Sequence, residues 1–168
     1  MTTGFLEADH HRRWRKATIA SLVVGYAGYY ICRSNFSVAT PLLLESFGDE
    51  GIDKVVLGSI ASFGVLAYAI GKLLNSVIVD FLGGRRMFLL GMAGSIAATV
   101  AFGIGAGATA FTVAWIVNRL FQSTGWAAAV KIVSNWVPFG MYGTVIGIVS
   151  LSFLFGDVIG RFLLGMFI

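Results

Sequence analysis

The sequence predicts an all-α membrane protein, a polytopic bundle of helices, and two observations support this class. Of the 168 residues, 57% are hydrophobic and only 12% are charged, whereas water-soluble domains carry about 25% charged residues. The uncharged residues also gather in long runs. At ~1.5 Å per residue, about 20 apolar residues cross the ~30 Å hydrocarbon core of a bilayer.

Five membrane spans are expected, at about 17–44, 55–79, 86–106, 110–137 and 142–168. Residues 1–16 form a basic segment before them that contains "HHRRWRK" (His10–Lys16). The apolar stretch after this segment is too long for the core of a cleaved leader, so we interpret it as the first transmembrane helix. Pro41 is expected to kink or end that helix.

The connections between the spans differ in charge. The first, "ESFGDEGIDK", holds four acids and one lysine, the second, "GGRR", is basic, and the third, "GIGAGAT", is small and uncharged. Because cytoplasmic loops carry the excess of Lys and Arg, we expect a multi-pass protein of the cell membrane. Its N-terminus and the "GGRR" loop lie in the cytoplasm, and the acidic loop lies outside.

The last span is apolar to its end at "RFLLGMFI", and five is an odd number of spans. We therefore expect this chain to be a fragment of a longer transporter.

The composition argues against several other classes. Cys32 is the only cysteine, so no intramolecular disulfide and no cysteine-based metal site is expected. Both histidines precede the first span, and no nucleophile–base or metal-ligand spacing is present, so the sequence predicts neither an enzyme nor a cofactor or metal. The net charge of +4 is not concentrated in a basic arm with interleaved aromatic residues, and nucleic acid is not an expected partner.

Five of the ionisable residues inside the expected spans are Arg33, Lys72, Arg119, Asp157 and Arg161. Left unpaired, they would together cost on the order of 10–15 kcal/mol in a bilayer. Asp157 and Arg161 are four residues apart and can pair on one helix face. The other three cations have no acidic partner within these spans. This excess of positive charge predicts an anion site, and the alternative is that acids elsewhere in a longer chain neutralise it.

Aromatic and polar residues accompany these cations at helical spacing. Tyr26, Tyr29 and Tyr30 lie seven, four and three residues before Arg33, which places all four on one stripe of a helix. The planar guanidinium of arginine suits two parallel hydrogen bonds to a phosphate or a carboxylate. The stripe therefore favours an anion-binding face.

The second and fourth spans repeat this arrangement. Lys72 has Tyr68 one turn before it and Asn75 three residues after it, and Gln122 follows Arg119 by three residues. Polar faces are thus expected on the first, second and fourth spans.

The segment "DFLGGRR" (Asp80–Arg86) predicts a tight charged turn. Asp80 can pair with an arginine of the turn or cap a helix N-terminus. We expect Asp80, Gly84, Arg85 and Arg86 to form a gating loop, and the alternative is a simple cytoplasmic anchor. Small residues four apart, Gly143 with Gly147 and Gly156 with Gly160, predict close approaches between helices.

Three segments resemble the major facilitator superfamily, in particular its organophosphate:phosphate antiporter branch. They are "GYAGYYICRSNFSVATP", "GKLLNSVIVDFLGGRR" and "FQSTGWAAAVKIVSNW". The resemblance covers about Arg12 to the end and implies the first five of twelve transmembrane helices. In this fold two halves enclose a central site and expose it alternately to the two sides.

The resemblance implies a secondary transporter that exchanges an organic phosphate for inorganic phosphate. By this resemblance Arg33 binds the phosphate group and Lys72 is an auxiliary cation. The cavity-lining residues would be Tyr26, Tyr30, Gln122 and Trp126, while Arg119, Asp157 and Arg161 are charges of the cavity or of helix pairing. The implied partners are an organic phosphate, inorganic phosphate, the bilayer and the missing second half.

Some positions depart from the pattern of this branch. Gly156 stands where the glycerol-3-phosphate transporter has a histidine, and Arg119 fits the wider superfamily better. Ser76 replaces the usual glycine and Phe81 a common basic residue in the second segment. These departures favour a divergent member with an altered substrate. The alternatives are a transporter for a carboxylate, sugar or drug, and a membrane sensor of sugar phosphates that does not transport.

Overall fold

The computed structural model describes residues 2–166, and the side chains of residues 11–166. This part of the chain contains six α-helices, a 3-10 helix at Gly48–Glu50 and no strand. The helices are α1 (Thr2–Phe47), α2 (Lys54–Leu82), α3 (Gly84–Ile104), α4 (Gly107–Gln122), α5 (Thr124–Trp136) and α6 (Phe139–Gly165). The predicted all-α class is confirmed.

Three helices are long and apolar enough to cross a membrane, namely α2, α3 and α6. Their bounds agree within a few residues with the spans expected at 55–79, 86–106 and 142–168, although residues 167 and 168 of the last span lie outside the described residues. Their outward faces are rich in exposed apolar side chains such as Leu73, Leu89 and Phe162. Exposed surface of this kind suits lipid better than water.

Helix α1 is longer than the sequence predicts. It begins at Thr2 and has 46 residues, so the basic segment and the first span form one helix. Pro41 lies inside α1, which ends six residues later at Phe47. Of the two expected effects, a kink or an end, Pro41 therefore does not end the helix. The hydroxyls of Ser37 and Thr40 donate to the carbonyls of Ser34 and Phe36, at 3.0 and 2.9 Å.

The fourth expected span, 110–137, is divided at Ser123 into α4 and α5, which have 16 and 13 residues. Ser123 keeps right-handed helical angles, and its backbone N–H donates to the Arg119 carbonyl at 3.1 Å. Its hydroxyl donates to the Leu120 carbonyl at 2.6 Å and accepts a hydrogen bond from Asn75 of α2 at 2.7 Å. A polar contact with α2 therefore coincides with the interruption between the two helices.

Glycines allow α1 and α6 to approach closely. A Cβ added to Gly156 would overlap the backbone of Ala27, and one added to Gly160 would lie 3.1 Å from the Cα of Ile31. The expected close approach at this pair is confirmed. Nothing in the described chain lies within 4 Å of a Cβ at Gly143 or Gly147, so for these two residues the close approach stays a prediction.

The bundle has two apolar cores at different heights. The first, between α1, α2, α3, α5 and α6, includes Leu22, Val79, Phe88, Val133 and Val149. The second, between α1, α2, α3 and α4, includes Phe36, Ile60, Phe102, Phe111 and Trp115. Arg33 lies between the stretches of α1 that contribute to the two cores, Lys72 lies between Ile60 and Val79 of α2, and Arg119 lies between Trp115 of α4 and Val133 of α5. The packing of apolar side chains above and below thus places polar side chains at one level.

Candidate functional site

Three cations from three helices surround the ring of Tyr68 on α2. The ring centroid lies 4.7 Å from Arg119 Cζ on α4, 5.4 Å from Arg33 Cζ on α1 and 5.9 Å from Lys72 Nζ on α2 itself. A cation within about 6 Å of an aromatic face is attracted by the ring quadrupole, by ~0.5–2 kcal/mol. We call these four residues the cation cluster.

The central position of Tyr68 was not predicted from the sequence. Its spacing of one turn from Lys72 indicated one of the three contacts. The contacts with Arg33 and Arg119 depend on how α1 and α4 pack against α2, which no local pattern reports.

Arg33 is half-buried and lies between two tyrosine rings. Its Cζ is 5.3 Å from the centroid of Tyr30, which in turn contacts Tyr26 at 5.5 Å and Phe153 of α6 at 5.3 Å between ring centroids. Tyr26 is buried and packs at 5.7 Å against the ring of Trp126. The predicted residues Tyr26, Tyr30, Arg33 and Trp126 are therefore contiguous.

Tyr29 belongs to helix packing, unlike its neighbours on the predicted stripe. Its hydroxyl donates to the Phe88 carbonyl on α3 at 2.8 Å and lies 3.2 Å from Oγ1 of Thr124 on α5. Its side chain is 3% exposed. Its hydroxyl connects α1 to α3 and α5.

Arg119 is the most deeply buried of the three cations, with 4% of the residue exposed. One guanidinium nitrogen donates to Oε1 of Gln122 at 3.3 Å, while Nε has no hydrogen-bond partner among the described residues. Its Cζ also lies 5.4 Å from the ring centroid of Trp115. An arginine so buried normally has a carboxylate partner.

Neutral amides hold Gln122 in place. Its Nε2 donates to Oδ1 of Asn118 at 2.7 Å, and Asn118 donates to the Ser95 carbonyl at 3.1 Å and to Oγ1 of Thr99 at 2.8 Å on α3. Gln122, predicted to line a cavity, is buried, and both ends of its amide are engaged. In this arrangement it orients Arg119.

The two acidic side chains Asp80 and Asp157 pair with cations outside the cation cluster. Among the described side chains, the ion pairs are Arg161 with Asp157, at 3.0 Å, and Lys131 with Asp80, at 2.8 Å. The spacing of four residues that favoured the first pair was therefore informative, and Ser34 of α1 also donates to Asp157, at 2.9 Å. None of the three cations around Tyr68 forms an ion pair within the described chain.

The predicted gating loop is shorter than expected. Gly83 alone separates α2 from α3 and has a φ of +77°, which favours glycine. Gly84 is buried against α5, where a Cβ would lie 2.8 Å from the Ala128 carbonyl oxygen, while Arg85 and Arg86 are exposed.

The prediction for the partner of Asp80 was wrong. In the described structure Asp80 neither pairs with an arginine of the loop nor caps α3, and it accepts a hydrogen bond from Lys131 of α5. The 51 residues that separate them concealed this pair from a local pattern.

The chain belongs to the Major Facilitator Superfamily, which residues 22–168 match. It is a polytopic membrane protein of this family of transporters, as the resemblance of its motifs predicted. Among the described residues, no group of three His, Cys, Asp or Glu side chains could hold a metal ion.

Curated relatives carry names from the predicted branch. The chain is 28% identical to the probable hexose phosphate transport protein of Chlamydia pneumoniae, over 94% of this chain and 34% of that protein. It is 25% identical to the glycerol-3-phosphate transporter of Bacillus subtilis, over 84% of this chain and 32% of that protein. It is also 24% identical to the membrane sensor protein UhpC of Escherichia coli, over 81% and 30% of the two chains. The chain thus spans about a third of the length of these relatives. No solved structure matches it significantly.

Proposed function

We propose that the protein is a secondary active transporter of the cell membrane that exchanges an organic phosphate ester for inorganic phosphate by alternating access. The observation that supports this proposal most is the cation cluster, in which three positive charges surround Tyr68 without an acidic partner in the described chain. The names of the relatives for hexose phosphate and glycerol-3-phosphate favour the same substrate class.

Arg33 and Lys72 are the proposed ligands of the phosphate group. Both are more accessible than Arg119, since Arg33 is half-buried and Lys72 is exposed. A guanidinium can donate two parallel hydrogen bonds to phosphate, and the ammonium of lysine adds a mobile point charge. The rings of Tyr30 and Tyr68 flank the Arg33 guanidinium and restrict its orientation. Tyr26 and Trp126 extend the same wall of the proposed cavity.

Charge neutralisation supplies the proposed coupling. Phosphate carries a charge of about −1.5 to −2 near neutral pH, which compensates Arg33 and Lys72 together. With phosphate bound, the two halves of a complete transporter can close around the site. Without phosphate, repulsion among the cations and their need for hydration disfavour closure. The empty transporter therefore changes slowly between its two conformations. This coupling requires no catalytic chemistry.

Exchange in liposomes tests the proposal. The full-length protein is reconstituted into liposomes loaded with inorganic phosphate, and uptake of labelled phosphate is followed against glycerol-3-phosphate and glucose-6-phosphate. We expect exchange in the native protein and a loss of at least about 30-fold in Arg33→Ala, since removal of one partner of a buried charged contact costs ~2–5 kcal/mol. Arg13→Ala, which removes an exposed cation from α1, is the matched control and should exchange normally.

The similarity to UhpC supports a second candidate, a sensor that binds sugar phosphates without transporting them. Binding that depends on Arg33, with no flux from a well-folded protein, would establish that function. If the protein shows neither binding of phosphate esters nor flux, a different solute is favoured. An acid of the second half that pairs with Arg33 would explain that result.

A further inference from the structure

Two side chains of α6 contact the turn of α1 that carries Arg33. The ring of Phe153 lies 5.3 Å from the Tyr30 ring between centroids. Oδ1 of Asp157 accepts a hydrogen bond of 2.9 Å from the hydroxyl of Ser34. The two contacting residues of each helix are four positions apart, which places them on one face of that helix. Both contacts therefore belong to one row along the interface, and Arg33 lies in sequence between the two α1 residues of this row.

Two glycines of α6 keep the interface narrow. A Cβ added to Gly156 would overlap the backbone of Ala27. One added to Gly160 would lie 3.1 Å from the Cα of Ile31 and 3.2 Å from the hydroxyl oxygen of Ser34. Membrane helices in such close contact have little freedom to shift separately. The position of α6 therefore constrains the α1 turn that contains Ser34.

Asp157 receives one hydrogen bond on each carboxylate oxygen. Nε of Arg161 donates to Oδ2 at 3.0 Å, while the Ser34 hydroxyl donates to Oδ1. Arg161 lies on the same helix as Asp157, so it orients the carboxylate toward α1. Ser34 is 2% exposed, and a charged acceptor makes its hydrogen bond stronger than one between neutral groups. The Arg161–Asp157–Ser34 chain is thus an oriented polar contact between α6 and α1.

The contact at Ser34 reaches the guanidinium of Arg33 by two routes. Ser34 is the next residue in the chain, so a displacement of its backbone also displaces that of Arg33. The Ser34 hydroxyl also lies 3.0 Å from the Tyr30 carbonyl oxygen, and the Tyr30 ring faces the Arg33 guanidinium at 5.3 Å. Because two parallel hydrogen bonds from arginine to phosphate demand a defined orientation, such a displacement weakens phosphate binding.

We infer that Asp157, oriented by Arg161, is a positioning residue for the phosphate site and that it acts on Arg33 through the Ser34 hydroxyl. The inference rests on the proposed function, in which Arg33 binds the phosphate group. Asp157 itself does not bind the phosphate, since two negative charges repel each other. A positioning role affects the KM for phosphate more than the maximal exchange rate, because α1 and α6 belong to one half of the fold and move together in alternating access.

A double-mutant cycle tests the inference. The KM and the maximal rate of phosphate exchange are measured with the full-length protein in liposomes loaded with inorganic phosphate. Ser34→Ala removes the donor and Asp157→Ala the acceptor. Each should raise the KM about fivefold, within the factor of about 3 to 20 that a hydrogen bond between membrane helices contributes to an equilibrium constant. The double variant should raise the KM about as much as either single variant, because both changes remove the same interaction.

Two further variants separate positioning from a general loss of structure. Asp157→Asn keeps an acceptor oxygen for Ser34 without the charge, so its KM should lie between those of the native protein and Asp157→Ala. Ser59→Ala on α2 is the matched control. The Ser59 hydroxyl is exposed and donates to the carbonyl of Val55, four residues earlier, at 2.9 Å. This control loses the same kind of local hydrogen bond and should keep the native KM.

Each outcome supports or overturns the inference. Native KM values in Ser34→Ala and Asp157→Ala overturn it, and so do single effects that multiply in the double variant. A lower maximal rate at unchanged KM, together with a lower midpoint of thermal unfolding, assigns the contact to stability alone and also overturns it. If Asp157→Ala does not fold, Ser34→Ala and Asp157→Asn form the cycle. If the native protein exchanges no phosphate, the proposed function fails as well.

Discussion

The guanidinium of Arg119 lies over the aromatic ring of Tyr68, with 4.7 Å between Cζ and the ring centroid. The ring also contacts Arg33 and Lys72, so one aromatic side chain faces three mutually repelling charges. Because the quadrupole of the ring attracts each cation, Tyr68 lowers the energy of an assembly that would otherwise separate. In the proposed transporter this makes Tyr68 a positioning residue for the phosphate ligands.

Tyr68→Leu tests the role of the ring. We expect the affinity for inorganic phosphate to fall about tenfold, since each lost cation–π contact is worth ~0.5–2 kcal/mol. Tyr68→Phe keeps the aromatic face and should stay within about threefold of the native affinity. Phe63→Leu, which removes an exposed aromatic ring from the same helix, is the control and should bind phosphate normally. Equal affinities for Tyr68→Leu and Tyr68→Phe would exclude an effect of the ring.

Gly156→Ala tests the close approach of α1 and α6. The added methyl group would overlap the backbone of Ala27, which cannot rotate away as a side chain can. We expect a loss of ~1–3 kcal/mol in stability, measured as a lower midpoint of thermal unfolding in detergent. Gly147→Ala on the same helix has open space around its Cβ and should change stability by less than about 0.5 kcal/mol. Equal midpoints for the two variants would contradict the described contact.

The Asp80–Lys131 ion pair connects the ends of α2 and α5, and we expect it to affect gating more than stability. Both side chains are more than one-third exposed, and such pairs contribute ~0–1 kcal/mol. Asp80→Asn and Lys131→Gln should therefore unfold near the native temperature and reduce phosphate exchange several-fold. The double variant Asp80→Lys/Lys131→Asp restores opposite charges and should recover most of the rate. If both single variants exchange phosphate at the native rate, the ion pair has no role in gating.

Accessible cysteines test the proposed orientation. In a Cys32→Ala background, single cysteines replace Arg13 in α1 and Asp49 in the 3-10 helix, both of which are exposed. If the N-terminus is cytoplasmic, an impermeant maleimide applied to intact cells should label Asp49→Cys. Arg13→Cys should be labelled only when the cytoplasmic side is opened. The reverse pattern would mean that the topology is inverted.

The helices were predictable where the sequence contains an uninterrupted apolar run. The bounds of α2, α3 and α6 follow from such runs between glycine-containing or charged connections. The start of α1 was not predictable, because charged residues can continue a helix beyond a membrane. No proline or glycine lies at the boundary between the basic segment and the apolar run to end the helix there. The division at Ser123 coincides with a hydrogen bond from Asn75, a side chain of another helix.

The candidate site was predictable in composition and only partly in arrangement. Arg33, Lys72 and Arg119 were identified because a charge in a membrane span is costly, and the pair Asp157–Arg161 because both residues are on one helix. The contacts of Tyr68 across α1 and α4, and the pair between Asp80 and Lys131, were missed, because a local pattern contains no distance between helices.

The sequence by itself determined that this is an all-α membrane protein with three intramembrane cations that have no acidic partner within the expected spans. Both conclusions follow from local composition and from the cost of moving charge out of water. Only the tertiary structure decided that these three cations meet around Tyr68 and that Gln122 orients Arg119. It also decided that Gly156 is a contact between α6 and α1. The physical reason is that helix packing, set by apolar cores above and below the cluster, brings together residues that are up to 86 positions apart in the chain, as Arg33 and Arg119 are.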